Sequence, residues 1–118
     1  MKTSELTGAA LDYMVAKCLG FEPFTDGISW IIDHAGTYQQ LPRYSTDWAQ
    51  GGPIIEREGI EIQKGNPLYF PKGNENGDYY EPLWIAGKMH GPTPLIAAMR
   101  CYVASKMGDE VEVPEELL

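Results

Sequence analysis

The sequence predicts an α/β (α+β) protein in which a small mixed β-sheet is flanked by an N-terminal and a C-terminal helix. Apolar residues recur at helical spacing near both ends of the chain, and the middle holds short apolar runs separated by glycine and proline. The 118 residues are enough for one modest core. We therefore expect a single sandwich-like domain over residues 1–118.

The N-terminal helix is predicted from apolar residues that share one helical face. These residues are Leu6, Ala9, Ala10, Tyr13, Met14 and Cys18. Its candidate N-caps are Thr3, Ser4 and Thr7. Gly20 is the expected stop, and Asp12 and Lys17 are expected on the solvent side.

The strands are predicted from short runs between the two helices. Residues 28–33 are β-branched and aromatic, which favours a largely buried strand. Residues 36–42 are interpreted as a polar loop. The alternation over 60–64 predicts a half-exposed strand, and 82–87 is the next predicted strand.

The C-terminal helix has the clearest boundaries. Thr93 is the predicted N-cap, Pro94 the first helical residue and Gly108 the stop. The expected buried stripe is Leu95, Met99, Tyr102 and Val103. A neighbouring face, with open space expected beside its arginine, holds Thr93, Ala97, Arg100 and Ala104. Residues 111–114 are a candidate edge strand.

Residues 65–81 form a long excursion rich in turn-forming residues. Asn76-Gly77 is suited to closing a hairpin between 68–70 and 79–80. Such an excursion in a small domain is more often functional than not, and a lid is one interpretation that the sequence leaves open.

The charge balance disfavours polyanionic partners. Nine basic and seventeen acidic side chains give a net charge of −8, and the basic residues are scattered. General nucleic-acid binding and attachment to anionic lipid are therefore not expected. The sequence contains no apolar run of membrane-spanning length and no secretory signal at its start, so we expect a cytosolic protein that does not associate with membranes.

Metal and cofactor sites are not predicted. Cys18 and Cys101 are interpreted as buried free thiols in preference to a disulfide or a reactive pair. The chain has no Cys-x-x-Cys spacing, and His34 and His90 are isolated from other ligand-type residues. We expect no metal and no cofactor.

Residues 43–53 are the candidate ligand-binding segment. Ser45 and Thr46 are natural N-caps, and Gly52-Pro53 is a second possible helix start one turn later. Two adjacent helix starts would expose unpaired backbone N–H groups beside aromatic rings. This combination predicts a site for an anionic, ring-bearing small molecule.

Nine residues are predicted to bind this ligand. The two arginines offer paired donors to phosphate or carboxylate, three aromatic rings offer stacking surfaces, and the remainder lie at helix starts. Surface ion pairs, core packing and simple capping are the competing interpretations. The residues are Arg43, Tyr44, Ser45, Thr46, Asp47, Trp48, Trp84, Thr93 and Arg100.

Catalysis is disfavoured, and no catalytic residue is assigned. Ser45, His90 and Asp47, or Asp47 with Glu56, could be assembled into an active site, but their spacing matches no catalytic signature. The sequence also lacks a P-loop and a dinucleotide fingerprint. A non-enzymatic role is therefore favoured.

Three motifs resemble the NinX-like proteins of tailed bacteriophages and prophages, a family of unknown function, and a small phage α/β/α sandwich domain. The motifs are Leu-Asp-Tyr-Met-Val-Ala-Lys at 11–17, Tyr-Ser-Thr-Asp-Trp at 44–48 and Thr-Pro-Leu-Ile-Ala-Ala-Met-Arg at 93–100. The resemblance covers nearly the whole chain apart from 65–81. It implies a phage accessory protein in the host bacterial cytoplasm but names no chemistry.

Phage accessory proteins often counter host defence, and some small ones sequester nucleotide-derived immune signals. By analogy, we expect this chain to bind a cyclic ADP-ribose variant or a cyclic dinucleotide without cleaving it, as a homo-oligomer. Two alternatives remain: an accessory that binds a host or phage protein, and a hydrolase of such a signal.

Overall fold

The computed structural model of the chain describes residues 1–65 and 83–118. These residues contain three α-helices, which are α1 (Gly8–Cys18), α2 (Trp48–Glu58) and α3 (Pro94–Met107). They also contain two short 3₁₀ turns, Thr3–Glu5 and Glu115–Leu117. The hairpin predicted around Asn76-Gly77 lies outside the described residues.

Six strands of the described chain form two antiparallel sheets of three strands each. The first sheet contains β1 (Phe24–Thr25), β2 (Trp30–His34) and β3 (Thr37–Gln40) in that order. The second contains β4 (Ile62–Lys64), β5 (Trp84–Ala86) and β6 (Met89–Gly91). The predicted α+β class is confirmed, but the strands form two antiparallel sheets where one mixed sheet was expected.

Helix α1 ends as its sequence predicts. Gly20 adopts a left-handed φ of 98°, and its N–H donates to the Lys17 carbonyl at 3.0 Å. The Phe21 N–H donates to the Ala16 carbonyl, also at 3.0 Å, which completes a Schellman motif. The expectation that Asp12 faces solvent is wrong, because its side chain is buried beneath the segment that precedes α2.

The first sheet differs from its prediction. A strand, β2, does form over part of 28–33 and extends to His34, but its buried residue is Ile32, while Ile28 is 93% exposed. The polar loop expected at 36–42 is instead mostly strand β3, paired with β2 through His34↔Thr37. A tight turn with positive φ at Ala35 (54°) and Gly36 (86°) makes this hairpin possible.

Helix α2 is one continuous helix, so the prediction of two adjacent helix starts is wrong. Asp47 is the N-cap, and its carboxylate accepts a hydrogen bond from the Ala49 N–H at 3.0 Å. Pro53 lies inside the helix and does not begin a second one. The predicted end is correct, since Gly59 follows the last turn in the left-handed conformation, with φ 66°.

Helix α3 has its predicted boundaries and occupies the centre of the molecule. The Thr93 hydroxyl accepts a hydrogen bond from the Ile96 N–H at 3.1 Å. The predicted stripe Leu95, Met99, Tyr102 and Val103 is buried, together with Ile96, Ala97 and Ala98. The open space expected beside Arg100 does not exist, because the backbone of Gly91 packs directly against Ala97 and the Arg100 side chain is bound to the carbonyls of Leu6 and His90.

The two ends of the chain lie side by side. Met1 and Val111 exchange backbone hydrogen bonds of 2.9 Å, and the Thr3 N–H donates to the Asp109 carbonyl at 2.9 Å. The pairing amounts to one isolated bridge, Lys2↔Glu110, so the edge strand expected at 111–114 is not formed.

Two adjacent glycines of α2, Gly51 and Gly52, give a matched test of how α2 packs against α3. A Cβ on Gly51 would collide with the Tyr44 carbonyl and the Leu95 side chain, whereas a Cβ on Gly52 would only touch the Trp48 ring at 3.9 Å. Gly51→Ala should therefore lower the free energy of unfolding by about 1–3 kcal/mol. Gly52→Ala should raise it by about 0.5–1 kcal/mol, because alanine favours a helix.

Urea unfolding followed by circular dichroism measures both changes. Equal effects of the two substitutions would contradict the described packing of α2 against α3.

Candidate functional site

The segment that leads into α2 is a compact turn held by one carbonyl. The Arg43 carbonyl accepts hydrogen bonds from the N–H groups of Thr46 (3.2 Å) and Asp47 (2.9 Å). This turn places the side chains of Arg43 and Thr46 on the surface and buries Tyr44 and Ser45.

A buried carboxylate ties this turn to α1. The Ser45 N–H donates to Oδ1 of Asp12 at 2.8 Å, and the two residues are 1% and 6% exposed. Burial raises the pKa of the Asp12 carboxyl, while hydrogen bonding from Ser45 and the positive charge of Arg43 partly oppose that rise. The Ser45 hydroxyl is buried beside it without a well-formed hydrogen bond to any described residue.

A surface groove of about 530 Å³ lies above this contact. Its walls are the N-terminal end of α1, the first sheet and the turn before α2. We call it the α1 groove. It is lined by Gly8, Ala9, Asp12, Ser29, Trp30, Gln40, Leu41, Arg43 and Thr46.

The α1 groove combines groups of different chemistry. Arg43 is exposed and makes no ion pair with another residue in the described ranges. The Thr7 side chain makes no capping hydrogen bond, so the first N–H groups of α1, at Gly8 and Ala9, are left for solvent or another acceptor. Both features favour an anion.

Trp30 supplies the aromatic wall of the groove. Its indole packs edge-on against Tyr13, with ring centroids 5.4 Å apart and planes at 82°. Tyr13 belongs to α1, so the helix fixes the orientation of the ring. A ring held in this way provides a preformed apolar surface at little cost in side-chain entropy.

The structure brings two of the nine predicted residues, Arg43 and Thr46, together in the α1 groove. Their neighbours in the chain have other roles. Tyr44 belongs to the core, where burial raises its pKa to about 12. Asp47 caps α2, and Trp48 begins that helix with 52% of its surface exposed.

The other three predicted residues do not line this groove. Trp84 is a half-buried residue of β5 that packs against the core, and Thr93 caps α3. Arg100 donates to the carbonyl oxygens of Leu6 (2.7 Å) and His90 (2.8 Å), and burial lowers its pKa. Arg100 therefore has a structural role, joining the N-terminal segment and β6 to α3.

Trp30 and the remaining lining residues were not predicted to bind a ligand. Trp30 was predicted only as part of a largely buried strand, and its ring does pack against Tyr13 while it also forms the wall of the groove. The sequence signal that could have located the groove is the pair of small residues, Gly8 and Ala9, at the start of α1. Small residues leave the N–H groups at a helix start accessible.

Two of the residues considered for catalysis have structural roles, since the Ser45 N–H donates to Asp12 and Asp47 caps α2. His90 belongs to β6 and Glu56 to α2, and neither lines the α1 groove. Over 1–65 and 83–118, no three histidine, cysteine or acidic side chains gather as a metal would require. In the same ranges, every helix is too short or too polar to cross a bilayer.

The fold and groove define a small acidic α+β protein with a mixed polar and aromatic cleft beside the start of its first helix. The sequence model of the family described as Bacteriophage P22, NinX matches residues 2–106. The chain therefore belongs to this family and is a NinX-like phage protein. A search of curated proteins found no match.

The buried carboxylate predicts an unusual pH dependence of stability. Because burial raises the pKa of Asp12 above its ordinary value of 3.8, the folded state binds this proton more tightly than the unfolded chain. The stabilisation is complete below pH 3.8 and is lost as the pH rises through the folded-state pKa. Wild type should thus lose stability relative to Asp12→Asn over that range, as measured by urea unfolding.

Asp26 is the matched control with the opposite sign. Hydrogen bonds from the N–H groups of Ser29 and Ile28 lower the pKa of Asp26. The stability that this carboxylate contributes to the folded state therefore develops as the pH rises toward 3.8. Wild type should gain stability relative to Asp26→Asn there. The same slope for both variants would refute the assignment.

Proposed function

We propose that this phage protein binds and sequesters a small nucleotide-derived ligand in the α1 groove, within the host bacterial cytoplasm, and so counters anti-phage defence. The ligand class is that of host immune signals such as a cyclic ADP-ribose variant or a cyclic dinucleotide. The observation that carries the proposal is the placement of Arg43, the uncapped start of α1 and Trp30 around one groove.

The three groups match the three parts of a nucleotide. A phosphate fits the Arg43 guanidinium and the N–H groups at Gly8 and Ala9. A base fits against the indole of Trp30, because every base has a flat apolar face. Ribose hydroxyls or an exocyclic amine can donate to Asp12, which lines the groove together with Arg43.

The size of the groove supports the same class. Its volume of about 530 Å³ lies within the range of small-molecule sites, roughly 300–1,000 Å³. Capture of a signal requires affinity and slow release but no reacting group. Sequestration therefore uses what the groove contains, whereas hydrolysis would need a nucleophile and a base in addition.

Replacement of Arg43 tests the proposal. Titration calorimetry of the wild type with cyclic ADP-ribose-type and cyclic dinucleotide ligands should give binding to at least one. Arg43→Gln should weaken that binding about 10–100-fold, as expected for loss of a charge-assisted contact with phosphate. Arg57→Gln is the matched control, because Arg57 is exposed on α2 and pairs with Glu58 away from the groove.

Two results would overturn the proposal. One is the absence of heat with every ligand of the class, and the other is an equal loss of affinity in both arginine variants. Ligand recovered after denaturation should be intact, since altered ligand would favour the hydrolase alternative.

A second candidate function is an accessory that docks on a host or phage protein. It is favoured by exposed apolar side chains, Ile28 (93% exposed) and Trp48 (52%), on an acidic molecule. Affinity capture from infected cells should then recover one dominant partner, with recovery unchanged by Arg43→Gln and reduced by Trp48→Ala. Recovery that is insensitive to Trp48→Ala would count against this candidate.

A further inference from the structure

Strand β3 forms an edge of the first sheet and, apart from its length of four residues, has none of the features that usually protect such edges. Its four residues, Thr37 to Gln40, are all exposed, and its outer side pairs with no other described strand. Edge strands are normally guarded by lysine, proline, a bulge or inward-pointing charge. Residues 34–42 carry no Asp, Glu, Lys or Arg, and the proline, Pro42, lies beyond the strand.

The register determines which backbone groups face outward. The Leu41 N–H donates to the Trp30 carbonyl at 2.9 Å, so residues 41, 39 and 37 direct their N–H and C=O groups toward β2. Tyr38 and Gln40 then direct theirs away from the sheet. These two residues offer two donors and two acceptors along the outer edge.

The face of the sheet turned away from the core is partly apolar. Ile32 is buried against the core, so Ile31 and its cross-strand neighbours Phe24 and Gln40 lie on the opposite face. Tyr38 shares this face, is 70% exposed, and packs edge-on against Phe24 with centroids 5.5 Å apart. The apolar side chains of Phe24, Ile31 and Tyr38 therefore extend to the unpaired edge of β3.

We propose that a second copy of this chain pairs with β3, strand to strand and antiparallel, around a two-fold axis at Gln39. Tyr38 would then exchange two backbone hydrogen bonds with Gln40 of the partner subunit, and the symmetric pair would make two more. The two sheets become one sheet of six strands. The argument for this dimer does not rest on the proposed ligand site.

The two neighbouring two-fold registers would pair Gln40 or Tyr38 with a residue that is unsuited to a strand. With Tyr38 on the axis, Gln40 would have to pair with Gly36, which lies in the hairpin turn with φ 86°. With Gln40 on the axis, Tyr38 would meet Pro42, which has no N–H to donate. The register centred on Gln39 uses the two outward-facing residues of the strand and no others.

The self-complementary register selects a second copy as the occupant, and the local charge permits it. A molecule of net charge −8 repels its own copy over most of its surface, so self-association requires an uncharged patch, which 34–42 supplies. The one acid within the strands of this sheet, Asp33 on β2, would lie three strand spacings, about 14 Å, from its symmetry mate. That separation exceeds the screening length of about 8 Å in physiological salt.

Cysteine cross-linking tests the register in the absence of any ligand. Gln39→Cys places two thiols directly opposite each other at the axis, within the Cα separation of about 7 Å that a disulfide tolerates. Thr37→Cys is the matched control, because its two copies would be four residues, about 14 Å, apart. Mild oxidation should cross-link the first variant and not the second, which also controls for Cys18 and Cys101.

Sedimentation equilibrium over a protein concentration series tests the association itself. Wild type and Gln39→Thr should dimerise, whereas Gln39→Lys, which sets two like charges face to face, should be at least tenfold weaker and regain affinity in high salt. Circular dichroism establishes that both variants are folded. A monomeric wild type, a dimer indifferent to Gln39→Lys, or equal cross-linking of both cysteine variants would overturn the proposal.

Discussion

The burial of α3 at the centre of the molecule is the constraint on which the other elements depend. Helices α1 and α2 and the second sheet all pack against it, and two glycines, Gly51 and Gly91, permit backbone approaches that a Cβ would block. Any polar side chain that a central helix carries inward must also find hydrogen-bond partners. Arg100 does so by binding two backbone carbonyls, which fixes the N-terminal segment and β6 to the helix.

The α1 groove depends on a second contact, between residues 33 positions apart in the chain. Asp12 reaches out of α1 to the backbone of Ser45, and this hydrogen bond positions the turn that exposes Arg43 and Thr46. A buried carboxylate is costly unless it is hydrogen-bonded, so the bond determines where the turn can lie. The contact between Asp12 and Ser45 therefore links the core to the groove.

Local signals in the sequence predicted α1 and α3 well, because Gly20, Thr93 and Gly108 act through their immediate neighbours. The α+β class followed from these helices and the short strands between them. Strand β3 was not predicted, since its exposed residues lack the apolar alternation of a half-buried strand.

The candidate site was less predictable than the fold. The start of α2 was misassigned because three consecutive residues can each serve as a cap, and tertiary burial of Ser45 left that role to Asp47. Arg43 and Thr46 were identified from residue type. Trp30 and the start of α1 were not, because only long-range contacts, Asp12 with Ser45 and Tyr13 with Trp30, bring them beside Arg43.

Gln40 belongs to two surfaces at once. It lines the α1 groove, and its backbone N–H and C=O lie on the outer edge of β3. Any molecule that shifts this residue on one surface changes the energy of the other, and thermodynamic reciprocity makes the effect equal in both directions. If the groove takes a ligand and the edge takes a second copy, as proposed, the two binding events would be coupled through this four-residue strand.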